Sequence, residues 1–399
     1  MQKKKKRWIK PRHKFTRNFV AFALWGYIKC KYHIKYEKFK DDKRAYLILY
    51  NHQTAFDQFF IGSVFKKPVY YVASEDLFSN GFISSVIRYL VAPIPIKKQT
   101  TDPKAVMDCF RVAREGGSIA IAPEGNRTYS GTTEYMNGAI VPLVRRLKLP
   151  LVLFRIEGGY GVQPRWTDKN RKGKMTAKVS RILEVSEVEK LTDEQLFYII
   201  KTQLYVDERE ITERYTGKRL AEHLERVAYV CPDCGLSRFV SKGNLISCEK
   251  CGKTIEYLPN KQLKGVNCDF PFTFVKDWYD YQKQFIIKTD LSEFKEKPIW
   301  TEKGNLFSVE LYKRKKLLKK KAEILLYYDK LRLDDKLLPF DEISTITVLG
   351  RNKLNVYYKD NLYQVKSYKG FNALKFVNVY YKYKEMQKSK NGHVEFLGL

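Results

Sequence analysis

The sequence predicts an α/β fold with a mostly parallel sheet covered by helices, followed by a small cysteine-bearing unit and a β-rich C-terminal module. Three observations predict it. Between about residues 44 and 185, short apolar runs alternate with longer amphipathic ones. Four of the seven cysteines fall in one tight cluster. Beyond about residue 300 the texture changes to short runs rich in Tyr, Val and Ile. A chain of 399 residues exceeds what one ordinary core serves, so two or three domains are expected.

In chain order, Ala45 to Tyr50, Val69 to Ala73, Ile94 to Ile96, Ile119 to Ala122 and Leu151 to Ile156 read as strands. Their continuous apolarity indicates burial on both faces, the mark of a parallel sheet under helices. Phe56 to Phe65, Gly81 to Leu90 and Pro103 to Glu115 read as the covering helices. Residues 187–226 are charged and helical in pattern, and Thr192-Asp-Glu-Gln195 is a capping-box signature for a helix through Leu204. Further strands are expected at Leu306 to Leu311, Glu323 to Leu333, Ile343 to Leu349, Leu354 to Lys359 and Leu362 to Lys366, with a closing helix from Phe371 to Tyr383. The expected organisation is a basic N-terminal segment over 1–40, an α/β domain over 41–226, a cysteine unit over 227–256, a connector over 257–299 and the β-rich module over 300–399. No internal repeat or low-complexity linker interrupts it.

The formal charge of +31, from 75 Lys and Arg against 44 Asp and Glu, calls for an anionic neighbourhood, either nucleic acid or an anionic membrane surface. Residues 3–17 carry Lys3 to Lys6, Arg7, Lys10, Arg12, Lys14 and Arg17 with no acid among them, and the apolar run Phe19 to Ile28 follows. That run is too short to span a bilayer, which takes about 20 apolar residues. The segment "KCKYHIKYEKFK" behind it offers no signal-peptide cleavage site. It reads as an interfacial anchor, with an ordinary packed first helix as the plainer alternative. With four cysteines in one cluster and Cys30, Cys109 and Cys268 standing alone, the sequence does not suggest a disulfide framework, and the expected place is the cytoplasmic face of the cell membrane, in a reducing compartment.

"YLILYNHQTAFD" places His52 just past a buried strand and Asp57 five residues on. A histidine serves as general base near neutral pH when a partner holds one ring nitrogen protonated. On a regular helix five residues separate side chains by about 140°. The pairing therefore requires His52 to lie in the loop and fold back over the first helical turn. Alone, one His-x4-Asp pair is weak. Company comes from "PEGNRT", where the strand Ile119 to Ala122 delivers Glu124, Gly125 and Arg127, and from Lys97 and Lys98 after Ile94-Pro-Ile96. A base, a carboxylate and cations at three strand ends make a site for a phosphorylated substrate with a reactive hydroxyl.

"NHQTAFD" followed about seventy residues later by "PEGNRT" resembles the glycerolipid acyltransferases, the lysophosphatidic acid acyltransferase group, over residues 45–185. The resemblance implies acyl transfer from acyl-CoA, acyl carrier protein or another activated donor to a lysophospholipid hydroxyl, with no covalent enzyme intermediate and no organic cofactor. It implies His52 as base, Asp57 as its orienter, and Glu124, Gly125 and Arg127 in the acceptor-binding block. "APIPIKK" departs from the family, with Lys98 where an arginine usually contacts phosphate. Lysine lacks the fork geometry of arginine, which leaves the acceptor headgroup open. The apolar block at Leu149-Pro150 reads equally well as a plain buried strand.

Cys231-Pro-Asp-Cys234-Gly and Cys248-Glu-Lys-Cys251-Gly are two Cys-x2-Cys knuckles thirteen residues apart. Four thiolates complete a tetrahedral Zn2+ and leave no open position, so the expected metal is structural; a rubredoxin-like iron site uses similar knuckles. The C-terminal strands and closing helix faintly resemble a pleckstrin-homology or GRAM module, with Lys313 to Lys321 expected as a loop between its first two strands. The rival reading, a nucleic-acid-binding zinc-ribbon protein, leaves the His-Asp and PEG blocks as accidents, and nucleic acid is the disfavoured partner. A lipid-binding scaffold without turnover would not need His52, Asp57, Glu124 and Arg127 intact. Nothing in the sequence speaks to oligomeric state.

Overall fold

The computed structural model describes residues 7–32, 34–37, 39, 41–97, 102–266 and 268–391. A long helix, α1 (Pro11–Tyr32), leads into β1 (Ile34–Tyr36), β2 (Leu47–Tyr50), α2 (Asp57–Val64) and β3 (Val69–Ser74). Next come α3 (Phe82–Leu90), β4 (Ile94–Ile96), α4 (Pro103–Arg114), β5 (Ser118–Ile121) and α5 (Ile140–Leu147). β6 (Leu151–Glu157), the four-residue α6 (Gly159–Val162), β7 (Met175–Leu183), α7 (Val185–Lys190) and α8 (Asp193–Leu204) complete the domain.

The seven strands pair in the order β1-β7-β6-β2-β5-β3-β4. All neighbours are parallel except β6 and β7. Leu47 and Leu49 enter a core built with α4, α5 and α8, through Val112, Val144 and Ile200. Ile48 and Tyr50 enter the opposite core, with Phe60 and Ile61 of α2. Double-sided burial is why this strand reads as an unbroken apolar run.

α4 begins on Pro103, with Asp102 Oδ1 accepting from Ala105 N at 3.1 Å, and α8 begins on the expected Thr192–Gln195 capping box. Sequence reasoning missed β1, α5 and β7. The α5 stripe Ile140, Val141, Val144 and Leu147 is buried but spans barely two turns. In β7, buried Met175 and Ala177 alternate with half-exposed polar residues, a fainter signal than a continuous run. The helical pattern expected up to residue 226 fails after α8. Residues 205–226 hold one 3₁₀ turn, Leu224–Arg226, and bridges Lys172↔Thr216 and Thr132↔Asp207 draw this segment out along the domain instead.

The cysteine unit contains β8 (Val230–Cys231) paired with β9 (Gly235–Leu236), and an antiparallel sheet of β10 (Phe239–Lys242), β11 (Leu245–Cys248), β12 (Thr254–Tyr257) and β13 (Leu263–Gly265). The expected connector holds β13 and a packed helix, α9 (Val275–Lys288). β14 (Trp300–Val309), β15 (Lys316–Leu326), β16 (Lys330–Leu333), β17 (Lys336–Pro339), β18 (Ile343–Leu349), β19 (Lys353–Tyr358) and β20 (Asn361–Ser367) form a second seven-stranded sheet, in the order β17-β16-β15-β14-β20-β19-β18. It is antiparallel, and α10 (Leu374–Asn391) closes it. Residues of the cysteine unit, α9, this sheet and α10 share one hydrophobic core, with Tyr229, Cys231, Trp278, Leu326, Val365 and Val377 all in it.

Two expectations for this module are corrected. The single strand from Glu323 to Leu333 is a hairpin, because the chain turns at Tyr327–Asp329 and β16 folds back on β15. The basic stretch Lys313 to Lys321 is a loop only at its start. Lys316 to Lys321 extend β15 beyond the core, laddered to β14 through Leu317↔Phe307 and Lys319↔Leu306, with their side chains exposed. Backbone pairing alone suffices there, so the strand needs no buried face.

Candidate active site

Asn51 fixes the end of β2. Its amide completes the ladder with β6, Nδ2 donating to Ile156 O and Oδ1 accepting from Ile156 N, both at 2.7 Å. The chain then leaves the sheet as the loop His52 to Phe56. Asp57, at the start of α2, is fully buried and gathers that loop. Oδ1 accepts from Thr54 N at 2.9 Å and Thr54 Oγ1 at 2.7 Å, and Oδ2 accepts from Gln53 N at 2.8 Å. His52 Nδ1 lies 2.8 Å from Oδ2. The fold-back that a five-residue pair requires is therefore made by the carboxylate itself. A carboxylate only accepts, so the shared proton is assigned to Nδ1, and Nε2 becomes the nitrogen able to take one.

The PEG block braces this loop from the next strand. Glu124 is buried, and both its oxygens go to backbone: Oε1 accepts from His52 N at 2.9 Å and Oε2 from Glu134 N at 2.8 Å. Burial pushes its carboxyl up to about 8, against those two N–H donors, which favour the ionised form. Gly125 turns the chain at φ +67°, in the left-handed region where glycine is unstrained. Arg127 donates from Nε to Gln53 O at 3.3 Å and from Nη2 to Gln163 O at 2.6 Å. Among the described residues Nη1 has no hydrogen-bond partner, and burial holds this guanidinium down to about 9, with Asp57 opposing and Arg165 and Arg351 adding to the effect. A half-buried cation so placed favours an anion beside it.

His52, Gly125 and Arg127 line a cleft of about 870 Å³. Lys97 lines it too, while Lys98 lies outside the described residues. The same cleft takes apolar walls from α1 and α3, among them Val20, Ala21, Val86 and Leu90. The two helices are joined by Arg12, which stacks over the Tyr89 ring at 3.8 Å and donates to Tyr89 O at 2.8 Å. Their outer faces show Phe15, Phe19, Phe22 and Phe82 at 61–90 % exposure. No helix among the described residues is long and apolar enough to cross a membrane.

Sequence reasoning missed Gln53, Gln163 and Arg165. Gln53 Oε1 accepts from Tyr160 N and Gln163 Oε1 from Ala55 N, each at 2.9 Å, locking the histidine loop to α6 and the chain just after it. The approach is close enough that a Cβ on Gly159 would sit 2.5 Å from Gln53 Cβ. The signal available was the glycine pair behind β6, Gly158-Gly159, which admits another segment's backbone.

The four clustered cysteines, Cys231, Cys234, Cys248 and Cys251, converge with all sulfurs within 4.8 Å of one another, and Cys231 and Cys251 sulfurs are 3.8 Å apart. Tetrahedral zinc at 2.3 Å per bond sets sulfur spacings of about 3.8 Å, so the donor set fits a metal ion such as zinc. Each knuckle turns on a glycine of positive φ, Gly235 at +66° and Gly252 at +72°. No residue of 227–256 lines the cleft.

Residues 31–156 match the protein family described as Acyltransferase, and this span holds His52, Asp57, Glu124, Gly125 and Arg127. Over that span, about a third of its length, the chain is similar to this family. Among solved structures it is similar to the 1-acyl-sn-glycerophosphate (LPA) acyltransferase PlsC from Thermotoga maritima, at 15 % identity and a TM-score of 0.38, over 48 % of this chain and 91 % of that one. No curated protein sequence matches the chain.

Proposed function

We propose that this chain is an O-acyltransferase that moves a fatty acyl group from an activated donor, acyl-CoA or acyl carrier protein, to the free hydroxyl of a lysophospholipid, converting lysophosphatidic acid to phosphatidic acid. The observation that carries the reading is the His52–Asp57 pair held over a cleft that also contains Arg127, inside the span matched by the Acyltransferase family. His52 Nε2 takes the proton of the acceptor hydroxyl as its oxygen attacks the acyl carbonyl. Asp57 stabilises the imidazolium. When the tetrahedral intermediate collapses, the thiolate leaves and takes that proton, returning the ring to its starting state. No serine or cysteine nucleophile is required. Arg127 binds the acceptor phosphate, and the apolar walls of α1 and α3 take an acyl chain. Glu124 acts by fixing the backbone at His52 rather than by touching substrate.

The protein works as a peripheral enzyme on the cytoplasmic face of an anionic membrane, with the exposed phenylalanines of α1 and α3 entering the interface and the basic N-terminal segment drawn to the headgroups. The four cysteines hold a structural Zn2+, which supplies folding energy and no step of the reaction. The C-terminal sheet, in its strand order and closing helix, supports a module of pleckstrin-homology type. The test is acyl transfer by purified protein in mixed micelles, offering lysophosphatidic acid with acyl-CoA, acyl carrier protein or acyl phosphate donors. Phosphatidic acid is the expected product. Absence of product with every donor and every lysophospholipid would refute the reading.

A further inference from the structure

We infer that the C-terminal module forms a wall of the acyl-transfer site, and that Arg165 is the positioning residue that couples this wall to Arg127. The inference rests on the reading of Arg127 as the acceptor-phosphate ligand.

Arg165 is 3 % exposed, and its guanidinium is spent on three backbone carbonyls and, at 3.4 Å, the Asn126 amide oxygen rather than on a carboxylate. Nη1 donates to Arg127 O at 2.7 Å. Nε donates to Gly350 O at 2.7 Å and Nη2 to Val348 O at 2.8 Å, both at the end of β18. The Tyr129 ring stacks 4.1 Å from the same guanidinium, and the Tyr129 hydroxyl donates to Arg351 O at 2.6 Å. One side chain thus spans the acceptor-binding block and the β18–β19 turn. Leu349, the last residue of β18, and Gly350 of that turn line the cleft together with Arg127 and Arg165.

A second attachment holds the module at the 3₁₀ turn that follows β3. Tyr357 Oη donates to Glu75 Oε2 at 2.7 Å, and Asp76, itself a cleft residue, receives Lys353 and Gln364 at 3.2 Å and also Lys315. The wall is therefore pinned at two places by buried or half-buried polar contacts. Sliding the module would have to break the bonds to Val348 O and Gly350 O, which are made by the same guanidinium that holds the carbonyl of Arg127. A planar five-donor fork can bind several carbonyls in fixed directions, which a lysine cannot do. Arg165 adds positive potential beside Arg127, while Arg351 is paired with Asp168 at 3.0 Å, so the wall favours an acceptor with an anionic headgroup.

The test compares full-length, zinc-loaded wild type with Arg165→Lys and Leu349→Ala, measuring kcat, KM for acceptor and donor, and melting temperature. Arg165→Lys keeps the charge and loses the fork, and is expected to raise the acceptor KM about tenfold or more, with donor KM within about twofold. Leu349→Ala removes no hydrogen bond, and is expected to narrow the preference for lysophosphatidic acid over lysophosphatidylglycerol by enlarging the headgroup side of the cleft. An equal fall in kcat for every acceptor with unchanged KM values, or unaltered kinetics in both variants, would overturn the inference. If wild type binds lysophosphatidic acid calorimetrically without turning it over, the proposed reaction fails, and the same comparison is then decided on Kd. If wild type does not bind it at all, both fail.

Discussion

Asp57 does two jobs with one carboxylate. It collects the loop by accepting from Gln53 and Thr54, and it holds Nδ1 of His52. Asp57→Asn keeps the shape but offers an amide that can donate to Nδ1, which favours the wrong tautomer; turnover should fall by about 10³-fold or more, with acceptor KM little changed. Steady-state kinetics with lysophosphatidic acid checks this. Glu124 makes a pH prediction. Its folded carboxyl lies at about 8, against about 4.3 in an unfolded chain. Between those values the folded protein binds more protons. Its contribution to stability is therefore complete below about pH 4, shrinks as pH rises towards about 8 and changes no further above. Melting temperatures across this range should decline more steeply for wild type than for Glu124→Gln; parallel curves would contradict the assignment. His52, Asp57 and the PEG block were legible because they stand at strand ends in short, chemically unusual strings. Gln163 and Arg165 were not, since their partners, backbone groups at Ala55, Arg127, Val348 and Gly350 together with the amides of Asn170 and Asn126, are brought near only by folding.

At the scale of elements, the five parallel strands β2 to β6 were legible because burial on both faces writes an apolar run, whereas β1, three residues with only Ile34 buried, was not. β7 and α5 were not, one because it alternates and the other because it is short. The cysteine knuckles were plain in their spacing, and the structure brings the four sulfurs together. One zinc per chain is expected by atomic absorption, and Cys248→Ser should lower metal content and melting temperature first, with acyl transfer falling only as a consequence. A stable, folded wild-type sample without metal would contradict the structural role. The basic stretch in β15 escaped sequence reasoning for a physical reason: a strand held only by its ladder carries no hydrophobic period to announce it.

At the scale of the whole molecule, the boundaries drawn from composition miss what packing does. The cysteine unit, α9, the second sheet and α10 close on one core, and that assembly reaches the cleft through the β18–β19 turn. Nothing in the sequence announces an apolar cluster shared by segments more than a hundred residues apart. The outward phenylalanines of α1 belong to this scale as well. Replacing Phe15, Phe19 and Phe22 together by Ser should weaken binding to vesicles containing phosphatidic acid by at least about tenfold, leaving acyl transfer to a soluble short-chain acceptor intact; cosedimentation measures the first and a soluble assay the second. The central claim is that His52 is the base of an acyl transfer. The measurement that tests it most directly is the turnover number of His52→Ala, folded and membrane-bound as the wild type, with lysophosphatidic acid and the preferred donor. A fall of about 10²-fold or more is the predicted result, and turnover within a few-fold of the wild type would remove His52 from the mechanism.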